Sequence, residues 1–499
     1  MIFGRKCAEI CDIIILHIFT FVNILCEGSA MTLFKKKDRI QTQDMIFTPR
    51  AIVKITVPMF IQQILNITVG MADSMMVSHA GEAAVSGVSL VNSLDNMLIV
   101  FFTALVSGGS VVVAQTLGAK KGKDVSEVAK QLLYATTFVA IILTPTVLLL
   151  RRPLLELLFG EVEADVMKNA YDYFWIVALS FPFLAISEST GACFRAAGNS
   201  LISLIVSFAI NVMNIAGNAI FIFGFDMSAK GAALATTIAR FGGAVILLIL
   251  IHNKKHPVHI ERIFRYKPDL RIIKQILNIG VPNGVENSMF SFGRLLTQTL
   301  ISMLGTTVIA ANSVALSIAN YQYAVNMAIS ACAVPIVGRC VGAGKTDQAK
   351  YYSKQLLVLE YVMMAIVILI TMIFLKPLLS TYNITDEGRA LSVKLLVFHS
   401  IATVIIYPLS FLLPSAFRAA GDAKFSMIFS MVSMWCIRVA FAYVLALDTV
   451  SVFGLFSFSG LGLGIWGVWI AMVGDWLLRA AAYTVRYLSG RWLKVKKLI

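Results

Sequence analysis

Between residues 51 and 488 the chain alternates long apolar runs with short polar connections, many of them basic. Gln131 to Leu150 and Gly231 to Ile251 are nearly continuous in apolarity and lack the period of two that marks a barrel strand. About twenty residues at about 1.5 Å rise each cross a hydrocarbon core about 30 Å thick, so each run reads as a transmembrane helix. Hydropathy places spans near 51–77, 88–116, 131–150, 169–193, 199–224, 231–252, 272–303, 309–341, 355–380, 391–416, 423–447 and 465–488. The fold class expected is all-α integral membrane, with about twelve transmembrane helices.

These spans form two groups of six that repeat one another. Phe194-Arg195-Ala196-Ala197-Gly198 recurs 223 residues later as Phe417-Arg418-Ala419-Ala420-Gly421, each time after the fourth span of its half. Val57-Pro58 matches Val281-Pro282, Gly118-Ala119 matches Gly342-Ala343, and Lys130-Gln131-Leu132-Leu133 matches Lys354-Gln355-Leu356-Leu357, all at an offset of 224. An even number of spans per repeat sends the second half into the membrane in the same direction as the first. Two parallel-repeat six-helix lobes are therefore expected, able to rock about a cavity between them. The boundaries are an N-terminal segment 1–44, a first lobe 45–252, a basic linker 253–271, a second lobe 272–491 and a basic tail 492–499. Within 1–30, Ile13 to Leu25 is a short apolar run behind Arg5 and Lys6. A mis-called start, an interfacial segment and a cleaved segment all fit it, because Met31 itself opens a basic stretch suited to a cytoplasmic start.

Composition agrees with the pattern. With 58% hydrophobic and 14% charged residues and a mean hydropathy of +0.81, no soluble domain remains to be placed. A net charge of +15 would suggest nucleic acid in a soluble protein, but here Lys and Arg sit in short loops. About 29 fall on the side holding both termini and about 7 on the other, so both termini are expected in the cytoplasm of a multi-pass protein of the cell membrane, with no nucleic-acid partner. The seven cysteines are scattered, without metal-like spacing or a disulfide framework. Gly338 to Thr346 imitates a phosphate loop, but Arg339 stands where the first glycine must be. Gly462 to Gly467 has the spacing of a dinucleotide fingerprint without its strand and helix. No metal-spaced His-Glu pair, clustered Asp motif or nucleophile motif is present, so no enzyme, no catalytic residue and no organic cofactor are expected.

Ionisable residues inside spans are better leads, since each costs at least about 2.5 kcal/mol at a helix centre. The candidates are Asp73, Asp95, Glu188, Arg240, Glu286, Arg294, Arg438, Asp475 and Arg479. Arg240, Asp475 and Arg479 are expected near the cytoplasmic ends of their spans, as snorkelling groups or structural ion pairs. Asp73 and Glu286 lie in the first span of each half, where the repeat brings the bundles together, and Glu286 with Arg294 are candidates for a substrate cavity. Asn211, Asn214 and Asn218 share one face of the fifth span. That stripe serves either interhelical packing or a polar pocket that holds a cation. Pro58, Pro282 and Pro408 permit bends.

Several of these segments together resemble the multidrug and toxic compound extrusion (MATE) family over residues 45 to 490. The carriers are Val57-Pro58 with Gly70-Met71-Ala72-Asp73-Ser74-Met75-Met76-Val77, Gln115-Thr116-Leu117-Gly118-Ala119, the duplicated Phe-Arg-Ala-Ala-Gly, and Asn214 with Asn218 before Ile222-Phe223-Gly224. The resemblance implies a monomeric antiporter in which Na+ or H+ flows inward while small amphipathic organic substrates, often cationic, leave between two lobes. It implies an ion-coupling site at Asp73, Asn214, Asn218 and Thr236, with Asp73 taking a proton or acting as a metal ligand to Na+. Some relatives carry a cation-binding glutamate in the seventh span; here that position is Phe290, and Glu286 stands about one turn earlier. The wider superfamily includes flippases for lipid-linked oligosaccharides, the alternative reading, in which Arg294 and Arg438 would serve as cavity cations. An intramembrane lipid-modifying enzyme is the third.

Overall fold

The computed structural model describes residues 45–494 apart from 80, 121, 161–162, 261–266, 383 and 453–455. The segment 1–44, Arg262 and Arg265 of the basic linker, and 495–499 of the tail lie outside the described residues. In the first half the passes are α1 (Pro49–Ser78), α2 (Glu82–Gly118), α3 (Gly122–Phe159), the pair α4 (Ala164–Ala178) and α5 (Phe181–Ala196), α6 (Ser200–Asn218) continuing into a π-helical turn at Ala219–Gly224, and α7 (Ser228–Ile251). In the second they are α8 (Leu270–Ser302), α9 (Thr306–Gly342), α10 (Thr346–Ile373) with the short α11 (Leu375–Ser380), and α12 (Asp386–Ala420). Then α13 (Ala423–Val432) runs through a π-helical segment at Ser433–Ala440 into α14 (Phe441–Ala446), and α15 (Ile465–Leu488) completes the twelve passes seen among the described residues. Ten of these helices are long and apolar enough to cross a membrane, eleven with α4 and α5 taken as one. The remaining pass, α8, has 33 residues and the length to cross, but Asn283, Glu286, Asn287 and Arg294 make it more polar. Between α14 and α15 lies a feature the hydropathy pattern did not predict, a hairpin of β1 (Thr449–Val452) and β2 (Phe456–Ser459), antiparallel with Thr449 opposite Ser459.

The duplication is written into the backbone. The α1–α2 turn places Gly81 at φ 99°, and the α8–α9 turn places Gly305, 224 residues on, at φ 100°. Lys120 and Gly344, also 224 apart, take φ 56° and 73° after α2 and α9, so the would-be phosphate loop is a helix terminus. A left-handed turn at Lys120 without glycine carries a steric cost, and shows that the conformation is imposed by the repeat rather than by the residue. The first helix of each lobe begins at a side-chain cap: Thr48 accepts from Ala51 N, and Asp269 from Arg271 N and Ile272 N.

The prolines that permit bends lie within continuous helices. α1, α8 and α12 run unbroken through Pro58, Pro282 and Pro408. A bend of 50° falls instead between α4 and α5, directly ahead of Pro182 in the first turn of α5. A proline in a first turn has no hydrogen bond to lose, so the chain can turn there cheaply.

The lobes meet along α2 against α8 and α9, and along α1 against α9. Small residues allow the close approach, as is usual where lipid supplies no hydrophobic drive. Added Cβ atoms would collide at Gly108 with Ile276 and Gly280, at Gly118 with the Arg339 carbonyl, and at Gly342 with the Gln115 carbonyl. Around this crossing one bond is made twice by pseudo-symmetry. Gln115 Nε2 donates to Ala419 O at 2.8 Å, and Arg339 Nε donates to Ala196 O at 3.2 Å. Donors and acceptors are repeat equivalents, so each lobe holds the Phe-Arg-Ala-Ala-Gly turn of the other. Large apolar side chains such as Leu149, Ile249 and Leu369 are exposed, as lipid-facing residues are.

Candidate functional site

Two polar regions stand out, one in each lobe. In the first, Asp73 on α1 is half-buried and faces α6. Asn218 is the last residue before the π-helical turn, a helix irregularity that frequently marks functional positions. Its Nδ2 donates to Asp73 Oδ1 and, at 3.4 Å, to Asn214 Oδ1. Asn214 Nδ2 in turn donates to Thr236 Oγ1 on α7 at 3.2 Å. Asp73, Asn218, Asn214 and Thr236 thus form one chain of side chains across three helices. Asn211, on the same face by spacing, does not join it, and its buried Nδ2 has no partner among the described residues.

The donor set indicates what this region can hold. The buried Asn218 Oδ1 receives no hydrogen bond among the described residues. With the Asp73 carboxylate and the Thr236 hydroxyl it offers hard oxygen ligands carrying a single negative charge. Such a set suits a proton or a monovalent hard cation better than a transition metal. Among the described residues no group of three or more His, Cys, Asp or Glu side chains is placed to hold a metal ion.

Sequence reasoning missed the surroundings. Tyr173 on α4 donates to Asn92 Oδ1 on α2 at 3.2 Å and lies within electrostatic reach of Asp73 and Asp95. Arg240 does not approach the end of its span. It stands mid-way along α7, where Nη2 meets Asp95 Oδ2 at 2.7 Å and Nη1 donates to Ser180 Oγ at 2.8 Å. Asp475 and Arg479 likewise sit in the middle of α15, buried and bonded at 2.8 Å. The correction has a simple cause: so far from a terminus no side chain can snorkel, and only a buried partner makes the charge tolerable. Glu188 pairs with Arg195 at 3.5 Å within α5, whereas Arg418, the repeat equivalent of Arg195, reaches Glu286 on α8 at 3.4 Å.

The second region is a cavity of about 680 Å³, within the range of small-molecule sites. Glu286, Phe290 and Arg294 of α8 line it, with Tyr323 and Asn326 of α9, Tyr407, Phe411 and Arg418 of α12, Arg438, and Trp469, Trp476 and Arg479 of α15. Val100 and Thr103 of α2 add wall from the first lobe. Glu286 is engaged by Arg418 and, at 2.6 Å, by Ser430. Behind the wall Asp475 serves both Arg479 and, at 3.8 Å, Arg438. The Phe290 ring lies under the guanidiniums of Arg438 and Arg479, at 5.4 and 5.3 Å. That environment repels a small cation. Asn326 Nδ2 donates to the buried Glu360 at 2.6 Å, and Tyr323 pairs with the buried His399 at 2.6 Å. Glu360 stands alone in an apolar span, and the rule that selects Asp73 would have selected it too.

A duplicated set of twelve helical passes, an intramembrane carboxylate with oxygen partners in one lobe and a cavity reaching the lobe interface define a two-lobed membrane transporter. The MatE family model matches residues 58–220 and again 282–444, two stretches at the offset of 224 found above, and the chain belongs to this family. It is 26% identical over 450 residues to the uncharacterized transporter YisQ of Bacillus subtilis, covering 88% of this chain and 94% of that protein. It is 26% identical over 458 residues to the probable multidrug resistance protein NorM of Thermotoga maritima, covering 89% and 93%. The fold is similar to that of a MATE family transporter of the MOP superfamily solved in an outward-facing conformation, with a TM-score of 0.76 at 18% identity over 88% of this chain and 94% of the other.

Proposed function

We propose that this MATE transporter is a cation-coupled antiporter, driven by Na+ or H+, that exports small amphipathic organic compounds by alternating access. The observation that carries the reading is the linked set of Asp73, Asn218, Asn214 and Thr236. A proton or Na+ arriving there neutralises Asp73 and recruits the unengaged Asn218 Oδ1. If the neutral and ionised forms prefer different packings of α1 on α6, ion loading shifts the equilibrium between them. With the basic loops and both termini cytoplasmic, the α2–α9 crossing would close the inner side, as an outward-facing state that loads ions requires. One charge crossing about 100 mV releases about 2.3 kcal/mol, enough for a gradient of roughly fortyfold in a neutral substrate.

Asp73→Asn tests this, because it keeps the shape and the Asn218 contact but removes the titrating, cation-binding oxygen. The variant is expected at normal levels in the membrane and inactive in efflux driven by either a Na+ or a pH gradient in proteoliposomes. Wild-type, gradient-driven efflux by Asp73→Asn would remove the coupling role.

A further inference from the structure

The charge of the second-lobe cavity opposes the substrate class that the family resemblance implies. Four guanidiniums line it, from Arg294, Arg418, Arg438 and Arg479, against one lining carboxylate, Glu286. Glu286 is taken by Arg418, and Asp475 behind the wall is shared by Arg438 and Arg479. Even with the buried Glu360 counted as ionised, guanidiniums outnumber carboxylates four to three. The excess is concentrated on Arg294, which is exposed and has no carboxylate partner among the described residues. A charge left in a membrane cavity without a counterion is costly, and a ligand of the opposite sign relieves that cost. Aromatic rings dominate the rest of the wall, with Phe411 itself stacked by Arg479 at 5.6 Å. Rings and planar guanidiniums together favour a flat apolar body carrying a carboxylate, sulfonate or phosphate, which Arg binds through paired N–H donors.

We propose that the cavity takes an aromatic or apolar organic anion, with Arg294 as its countercharge. This rests on the reading of the cavity as the substrate site of an exporter, and it names the sign of the substrate's charge. The anionic group belongs either to a soluble compound or to a lipid headgroup.

Binding to the full chain in phosphatidylcholine nanodiscs tests it without any ion gradient. Radiolabelled naphthalene-2-sulfonate is expected to bind at least about tenfold more tightly than ethidium. Arg294→Gln should weaken sulfonate binding by about tenfold to a hundredfold, the range for a charged hydrogen bond, and Arg294→Lys, which keeps the charge but loses the paired donors, should restore part of it. Ethidium as the tighter ligand, or unchanged sulfonate binding by Arg294→Gln, overturns the proposal. Competition when phosphatidylglycerol is added to the nanodiscs assigns the anion to a lipid headgroup, and its absence assigns a soluble anion. The two readings separate in proteoliposomes. Gradient-driven ethidium efflux by a protein that binds no sulfonate defeats this inference and leaves the antiporter standing. Arg294-dependent sulfonate binding without gradient-driven efflux of either probe defeats the antiporter and leaves the site.

Discussion

Adding one methyl group at Gly342 is expected to separate conformational cycling from folding. In Gly342→Ala the new Cβ overlaps the carbonyl of Gln115 on α2, and the pseudo-equivalent change at Gly118 meets the carbonyl of Arg339 on α9. Both obstacles are backbone, so neither can rotate away, and the two helices have to part. Overpacking of this kind costs about 1–3 kcal/mol. The bonds from Gln115 to Ala419 O and from Arg339 to Ala196 O cross the same seam and are strained as it opens, at about 1 kcal/mol each. The cost falls only on the state in which α2 and α9 cross here. The overlap alone therefore moves the balance between states by roughly fivefold to a hundredfold, and loss of both bonds would add about thirtyfold, while the interior of each lobe is untouched. Spin labels on cysteines introduced at Asn253, the exposed first linker residue just after α7, and at exposed Lys424 in the second lobe report the change by pulsed electron resonance. Gly342→Ala is expected to lengthen the distance distribution and slow efflux about tenfold, with normal membrane levels. The double variant with Gly118→Ala should cost less than the sum, because one separation relieves both overlaps. An unchanged distance distribution with wild-type efflux would refute the reasoning, and so would a variant that fails to fold.

Two further outcomes are expected. Cysteines introduced at Lys267 and Lys345 should resist a membrane-impermeant reagent in intact cells while those at Gly81 and Thr306 react, and labelling of Lys267 from outside would overturn the cytoplasmic assignment of the basic loops. Arg240→Gln leaves Asp95 buried without its cation and should destabilise the first lobe by about 3–5 kcal/mol, read as a loss of thermal stability in detergent that Asp95→Asn largely restores.

The architecture was legible because the bilayer imposes it: a chain with no water to satisfy its backbone must cross as helices, and hydropathy counts them. The repeat was legible for a related reason. Residues that fix a turn or a close helix crossing, such as Gly118, Gly342 and the Phe-Arg-Ala-Ala-Gly pair, have few substitutes, so the duplication persists there when lipid-facing positions have drifted. The polar network of Asp73, Asn214, Asn218 and Thr236 could be proposed from spacing and resemblance, but its exclusion of Asn211 could not. Asn211 lies seven residues before Asn218 on the same regular helix, and which asparagine finds a partner depends on the side chains that α1 and α7 present at each level, which the spacing of one helix does not record. The depth of Arg240 and Asp475 was misjudged because a hydropathy window sees one helix, whereas the partners that permit burial lie on others.

The halves share a backbone and differ in the charge they carry. Asp73 stands 224 residues before Thr297, so where the first lobe carries a carboxylate the second carries a hydroxyl. A cation is stabilised by the first set and repelled by the second, where Phe290 is covered by two arginines. On the proposed reading ion and substrate would be kept apart, and coupling between them would have to cross the seam. α1 carries Asp73 toward one end and Met59 toward the other, and Met59 Sδ touches Cys332 Sγ on α9 at 3.3 Å. α9 in turn carries Asn326 and Tyr323 into the cavity wall. On the proposed antiport reading, a displacement of α1 on neutralising Asp73 would reach the cavity wall through the Met59–Cys332 contact and α9, and would need no ion in the second lobe.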